Sequence, residues 1–411
     1  MGIVVIVIGL ALSIGLHEFG HLIPAKLFGV RVPNWAIGFG PKLFSKKIGE
    51  TEYSFRLIPL GGYITMIGMY PPDLRGKDSK RPFGRVIAQA RSAHSEHMVE
   101  GDEGVRTLYS LPAWKRIIIM FGGPFVNLLI GLIVLTSVFV SVGTTAQTTR
   151  IEKVVECVEA MTQGECTADS TPTPAKAAGL LSGDVIVKLG ENRVANYEQL
   201  QAALKASDSA LTATVRRGSK TFETQLPAAW AEMPFVDQAT GKTSKRHTRI
   251  LGVNFAVARE QLSIVQGFEQ SGQMVTGTFG LIGSFPQQVY SAAQKTFMGE
   301  QRDPAGAVSI VGVAQASTKV DSLAYWFYLI GSLNIALFVF NMIPLPPLDG
   351  GHIAGGIYEY LKRGVFRLLG RKDPGPVDTA LMAPVAQVMF VVLFLAGILM
   401  VVADLVNPIR F

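Results

Sequence analysis

Cysteine is scarce, with two residues in 411. That scarcity excludes a disulfide framework and any cysteine-rich metal site, and leaves at most one local bridge, between Cys157 and Cys166. Charge is thin as well. Asp, Glu, Lys and Arg make up 17% of the chain, while 48% is hydrophobic and mean hydropathy is +0.32. A soluble domain carries about 25% charged residues, so an integral-membrane class is expected. The net charge of +7 and pI near 9.3 would admit a nucleic-acid partner. However, the lysines and arginines are scattered over polar stretches, with no basic stripe interleaved with aromatics, so no nucleic acid is expected. Repeats of solenoid length are also lacking, which removes the repeat architectures.

What is present is a set of long apolar runs. A membrane-spanning helix needs about 20 mostly apolar residues, and four stretches come close: 2–23, 117–142, 323–343 and 385–406. The first lacks the Lys or Arg ahead of its apolar run, and the small-residue cleavage site, that a signal peptide would carry. Four passes place both termini on one side. Lys26, Arg31 and Lys42 after the first span, with Lys115 and Arg116 before the second, mark the intervening loop as cytoplasmic. Both termini are therefore expected to be extracytoplasmic.

Within that loop, residues 32–70 contain short strand signals punctuated by glycine, among them Trp35 to Pro41, Glu52 to Ile58 and Pro59 to Met66. A β-hairpin or small sheet at the cytoplasmic membrane surface is the simplest reading. Its edge could hold an extended peptide by strand addition, or the hairpin could be purely structural. Residues 71–110 are polar and mixed in charge and read as a loop, with His94 and His97 as solvated surface residues. After the second span, residues 150–258 turn water-soluble, with strand-like runs at 151–155, 184–189, 211–216 and 250–255 and a helix at 197–204. Cys157 and Cys166 fall in this outward-facing segment, where disulfides persist, so a local bridge is expected. Residues 259–322 carry Ile264, Val265, Phe268, Val275, Phe279 and Ile282 at loosely helical spacing, which fits an amphipathic helix lying as a linker on the outer membrane surface.

The chemistry concentrates in His17-Glu18-Phe19-Gly20-His21, a match to H-E-x-x-H. Residues four apart share a helix face, so both imidazoles can ligate one zinc ion while Glu18 stays close enough to take a proton from water. A charged residue at the centre of a spanning helix costs roughly 2.5 to 3.5 kcal/mol on insertion scales, so two histidines and a glutamate in an apolar span need a compensating reason. Satisfaction by hydrogen bonds in a polar helix interface is the bland one. A catalytic zinc needs a third protein ligand, and Asp349 offers it within Asn341-Met342-Ile343-Pro344-Leu345-Pro346-Pro347-Leu348-Asp349-Gly350-Gly351 at the end of the third span. Spans one and three run in the same direction, so His17, His21 and Asp349 fall at one depth. At 1.5 Å per residue, His17 lies about 20 to 24 Å along the first helix, in the cytoplasmic third of a roughly 30 Å core. The proline-rich run breaks the helix, which membranes tolerate only where backbone is buried in protein or lines a cavity.

These motifs, together with Gly122-Gly123-Pro124-Phe125-Val126-Asn127 and Ile58-Pro59-Leu60-Gly61-Gly62-Tyr63, make the chain resemble the site-2 protease family of intramembrane zinc metalloproteases. The likeness is to its bacterial, RseP-like group, and within that to actinobacterial members with a single PDZ domain. The resemblance spans nearly the whole chain. It implies Zn2+ held by His17, His21 and Asp349, Glu18 as general base, and Asn341 and Asn334 as hydrogen-bond partners of the substrate backbone. Asn341 also has a plain reading as an interhelical hydrogen bonder, and Asn127 reads that way. Ala177 to Ile186, Ala-Ala-Gly-Leu-Leu-Ser-Gly-Asp-Val-Ile, resembles the bacterial PDZ signature. The segment from Cys157 to Pro174 is longer than a minimal PDZ loop. His352 is expected to lie at most beside the site, and His247 on the surface.

The expected architecture is therefore a polytopic α-helical membrane protein. Residues 1–149 hold spans one and two with the cytoplasmic β-region, 150–258 an extracytoplasmic PDZ domain, 259–322 the linker, and 323–411 spans three and four. The expected activity is hydrolysis of peptide bonds within transmembrane segments of single-pass proteins, such as anti-sigma factors or remnant signal peptides, at a bacterial cytoplasmic membrane. A non-catalytic PDZ membrane adaptor is the alternative, although an adaptor has no reason to keep His17, Glu18, His21 and Asp349 together. A metal transporter would need paired acidic or histidine residues along further spans, and none is seen.

Overall fold

The computed structural model describes residues 1–73, 82–95, 105–162, 165–167, 169–236, 243–302, 306–320 and 322–408. In chain order, α1 (Gly2–Leu27) is followed by strands β1 (Asn34–Ile48) and β2 (Thr51–Thr65), then α2 (Gly84–Ser95) and α3 (Ala113–Ser141). Next come β3 (Thr144–Val154), α4 (Pro174–Ala177), β4 (Val185–Leu189), β5 (Asn192–Arg193), α5 (Tyr197–Lys205), β6 (Leu211–Arg217), β7 (Lys220–Leu226), β8 (Trp230–Val236), β9 (Thr243–Arg249) and β10 (Val253–Glu260). The chain ends with α6 (Ile264–Ile282), α7 (Phe285–Met298), α8 (Ile310–Lys319), α9 (Leu323–Asn341), α10 (Asp349–Leu368) and α11 (Ala383–Val406). Two compact units form, one from Met1–Val138 with Ile264–Phe411 and the other from Phe139–Ser263.

Among the described residues, four helical segments are long and apolar enough to cross a membrane: Gly2–Leu27, Ala113–Ser141, Leu323–Asn341 and Thr379–Val406. Three of them pack closely because small residues let their backbones meet. A Cβ on Gly20 would sit 2.2 Å from the Gly122 carbonyl oxygen, so α1 and α3 cross there in backbone contact. Ile330 of α9 packs over Gly9 of α1, and Leu135 of α3 packs over Gly331 of α9. Without water to drive association, such close packing is what holds spanning helices together. By contrast, the most apolar stretch of the fourth segment is only 6% buried, leaving Phe390, Phe394 and Leu395 exposed as a lipid-facing surface would.

Strands β1 and β2 are each 15 residues long and fold back on themselves. Ile48 pairs with Thr51 and Phe44 with Phe55 around the turn, yet Trp35 pairs with both Tyr53 and Ile64. Two strands thus supply four ribbons, in the order 62–65, 34–37, 52–55 and 44–48. The bend requires glycine: Gly38 (φ 86°) and Gly61 (φ 109°) take conformations closed to other residues. Trp35, Ile37 and Met66 then join Leu22 of α1, Ile119 and Met120 of α3 and Ile353 of α10 in one core. This core fixes the sheet to the helices that carry the motifs.

Two segments differ from the sequence expectation. The loop expected over 71–110 contains α2, whose Gly84 and Ile87 are buried and whose Arg91 pairs with Asp378 at 2.6 Å. His97 lies outside the described residues. Over 259–322 the expected helix is present as α6 and is followed by α7 and α8, but α6 is more than a surface element: Phe279 meets Phe338 of α9 edge to face, and Ser271 is fully buried against Thr136 of α3.

The second unit holds a sheet in the order β10-β3-β4-β6-β7, with β5 beside β4, and a separate β8–β9 ribbon. Ile151, Leu180, Ile186, Leu189, Leu200 and Val215 form its core. Asp184, fully buried, receives Arg217 Nε at 2.8 Å, Arg217 Nη2 at 2.8 Å and the Leu181 backbone N–H at 2.9 Å. Burial raises its carboxyl pKa, but the guanidinium and the N–H outweigh that and hold it below the ordinary carboxylate value. Cys157 and Cys166 are bridged, with Cα atoms 5.8 Å apart. His247 stacks on Trp230 in the ribbon, with ring centroids 5.6 Å apart.

Candidate metal centre

Helix α1 presents His17 and His21 on one face, toward α3 and the start of α10. The helical spacing of four residues puts their rings 4.8 Å apart. Between α9 and α10 the chain leaves helical geometry over residues 342–348 and resumes it at Asp349. That break turns the carboxylate toward the two imidazoles. His17 Nε2 and His21 Nε2 are 3.2 Å apart, and Asp349 Oδ2 lies 3.3 Å from the first and 3.4 Å from the second. Asp349 Oδ2 is buried and, among the described residues, accepts no hydrogen bond. His21 Nδ1 lies 2.7 Å from the Ile119 carbonyl oxygen. A carbonyl only accepts, so in the neutral ring Nδ1 bears the proton and Nε2 keeps its lone pair.

Two imidazole nitrogens and one carboxylate oxygen therefore converge within 3.2 to 3.4 Å of one another. Tetrahedral zinc with bonds of about 2.0 to 2.1 Å spaces its ligand atoms about 3.3 to 3.4 Å apart, which matches the observed triangle. Among the described residues, this is the one group of three His, Cys, Asp or Glu side chains placed to hold a metal ion. The cradle is kept open by Gly123 of α3, where a Cβ would sit 2.2 Å from His21 Nε2 and 2.8 Å from His17 Cε1. Two imidazoles and one carboxylate are a zinc donor set that leaves a fourth position for water or substrate. The residues present fit the ion.

Glu18 follows His17 on α1 and lies within electrostatic range of both imidazoles and Asp349. The edge ribbon of the sheet passes directly beside it, since a Cβ on Gly62 would be 3.2 Å from Glu18 Cγ. Phe19, the next residue of the motif, packs edge to face on Trp35 with centroids 4.8 Å apart. The H-E-x-x-H turn is thus seated between α3 and the sheet.

The two asparagines expected near substrate are placed differently from each other. Asn341 is the last residue of α9 and half-buried, close in the chain to the break before Asp349. Asn334 is 1% exposed and occupied elsewhere: its amide nitrogen donates to Ser13 Oγ at 2.8 Å and to the Ile330 carbonyl at 2.8 Å. The interhelical hydrogen bond expected of Asn127 is made, from α3 to His17 of α1, which brings this residue beside the site as well. Asn127 is 1% exposed and its amide lies 3.1 Å from His17 Nδ1.

A membrane-embedded metalloenzyme is the class that such helices and such a donor set define. Residues 5–368 match the family described as Peptidase family M50. The chain belongs to peptidase family M50, a family of zinc-dependent metalloproteases. Two relatives match it end to end. Zinc metalloprotease Rip1 of Mycobacterium tuberculosis is 29% identical over 422 residues, covering 100% of this chain and 98% of that protein. Zinc metalloprotease Rip1 of Mycolicibacterium smegmatis is 28% identical over 432 residues, covering 99% and 98%.

Proposed function

We infer that the chain is an intramembrane zinc metalloprotease that hydrolyses peptide bonds within the transmembrane segments of single-pass proteins. The observation that carries this reading is the 3.2 to 3.4 Å triangle of His17, His21 and Asp349 between apolar helices, with Glu18 beside it. His17, His21 and Asp349 hold the ion. Bound zinc supplies Lewis-acid polarisation of the scissile carbonyl and makes water a better nucleophile at neutral pH.

The rest is done by side chains and backbone. A transmembrane helix hides its carbonyls in its own hydrogen bonds, so it must be unwound before attack. Ribbon 62–65, which among the described residues has a strand partner on one side only, runs past Glu18 and can hold the unwound strand extended. Glu18 takes the proton from attacking water and delivers it to the leaving nitrogen. Asn341, at the break beside Asp349, hydrogen-bonds the substrate backbone. Asn334 is the weaker candidate for that role because Ser13 and Ile330 occupy its donors.

The 150–258 region acts as an extracytoplasmic PDZ domain that screens substrates by size, and the active site lies near the cytoplasmic face. Anti-sigma factors and remnant signal peptides fit as substrates because both are single membrane passes. The parallel Asn341-to-Gly351 and H-E-x-x-H motifs argue against a non-catalytic adaptor, since binding alone uses neither the metal triangle nor Glu18.

The deciding experiment is Glu18→Gln in the full chain, co-expressed with a tagged single-pass substrate. Zinc content should stay at about one ion per chain while cleavage falls by at least about 100-fold, the scale of a lost general base. Unchanged cleavage by that variant would remove Glu18 from its role.

A further inference from the structure

His17 poses a tautomer problem that Asn127 can solve. The reading of His17 as a metal ligand requires its Nε2, the atom 3.3 Å from Asp349 Oδ2, to carry a lone pair. Its proton must then sit on Nδ1. His21 meets the same demand through the Ile119 carbonyl, 2.7 Å from its Nδ1. For His17 the group facing Nδ1 is the Asn127 amide, with Nδ2 at 3.1 Å, while Asn127 Oδ1 is buried and has no donor. An amide nitrogen only donates, so in this orientation Nδ1 accepts and the ring proton moves to Nε2. A ring protonated there cannot ligate.

Rotating the amide by half a turn exchanges oxygen and nitrogen at nearly the same positions. Oδ1 then accepts from Nδ1–H, and Nε2 is free. Each orientation leaves one amide atom without a protein partner, but only the rotated one is compatible with a metal ligand at Nε2. The site also disfavours any substitute for the amide. Asn127 is 1% exposed on a helix held against α1 by the Gly20 and Gly122 contact, so neither solvent nor a loop shift readily replaces it.

We propose that Asn127 is a positioning residue that selects the metal-binding tautomer of His17 by accepting its Nδ1–H. Partners that orient metal-bound histidines in this way contribute roughly 10- to 100-fold in metal affinity. The proposal rests on His17 being a zinc ligand, and the test separates the two.

Full-length protein in detergent is stripped of metal, and its zinc affinity is measured by competition with a chromophoric chelator. Four forms are compared: wild type, His17→Ala, Asn127→Leu and Asn127→Asp. His17→Ala should lose competitive zinc binding; if it binds like wild type, the ligand assignment itself is wrong. With His17→Ala deficient, Asn127→Leu should bind zinc about 10- to 100-fold more weakly while its metal-free thermal unfolding stays cooperative. Wild-type affinity in Asn127→Leu overturns the proposal and leaves the ligand assignment standing. Should Asn127→Leu fail to fold, Asn127→Asp decides. A carboxyl keeps the acceptor and removes the amide donor, so zinc held at least as tightly as in wild type supports the proposal and measurable weakening overturns it.

Discussion

Gly123 sets how closely α3 can approach the metal centre, because a single added carbon there would overlap the atom that binds. Its hypothetical Cβ lies 2.2 Å from His21 Nε2, well inside contact distance, and the neighbouring atoms are all imidazole ring atoms of His21 and His17 rather than flexible chain ends. His21 has little freedom to move away, since it is 3% exposed and its Nδ1 is held by Ile119. Gly123→Ala is therefore expected to displace the imidazole and drop zinc content from about one ion per chain to near zero, measured by elemental analysis of purified protein. Retention of a full equivalent would mean that the helices separate without cost. The same scale shows why some residues were legible in sequence and others were not. His17, Glu18, His21 and Asp349 stand in short motifs whose spacing is itself the chemistry. Asn127 and Asn334 carry no such mark. Both are buried asparagines on spanning helices, and only three-dimensional packing assigns one to His17 and the other to Ser13.

Among the elements, the bent sheet shows most clearly how the fold serves the site. Strand signals over 32–70 announce a hairpin, but nothing local tells that Trp35 will pair on both sides, with Tyr53 and with Ile64. That second pairing depends on the bend at Gly38 and Gly61, and it brings ribbon 62–65 against Glu18. Helix α2 was hidden for a different reason. Its burial rests on Gly84 and Ile87, too little apolar surface to stand out from the polar residues around it. Gly62 tests the seating of the ribbon separately from the metal. A side chain there meets Ile14 at 2.9 Å, the Ala36 carbonyl at 3.0 Å and Glu18 at 3.2 Å. None of these atoms belongs to the donor triangle. Gly62→Val should therefore push the ribbon off α1 and lower cleavage of a co-expressed substrate by up to about 100-fold, the cost of misplacing reacting groups by about 1 Å. Zinc content should stay unchanged. Normal cleavage would detach the ribbon from substrate positioning.

For the whole molecule, the open question is which side of the membrane each part occupies, and the chain carries its own reporter. It has two cysteines, both in the second unit and bridged to each other, so no native thiol competes with a probe. On the proposed topology, the charge asymmetry around the first two apolar helices assigns the segment between them to the cytoplasm, and one further crossing would put residues 150–258 outside. A disulfide fits that assignment, because bridges persist in oxidising compartments and are rare in the cytosol. In spheroplasts, a membrane-impermeant maleimide should label the wild-type chain only after treatment with an impermeant reductant, with no need to open the membrane. A Lys47→Cys variant with Cys157 and Cys166 both changed to Ser places one exposed thiol near the tip of the β1–β2 sheet. It should be labelled only once the membrane is permeabilised. Labelling of this variant in sealed spheroplasts, with the native pair protected until lysis, would invert the topology. The metal triangle would then lie nearer the outer face of the membrane than the cytoplasmic one.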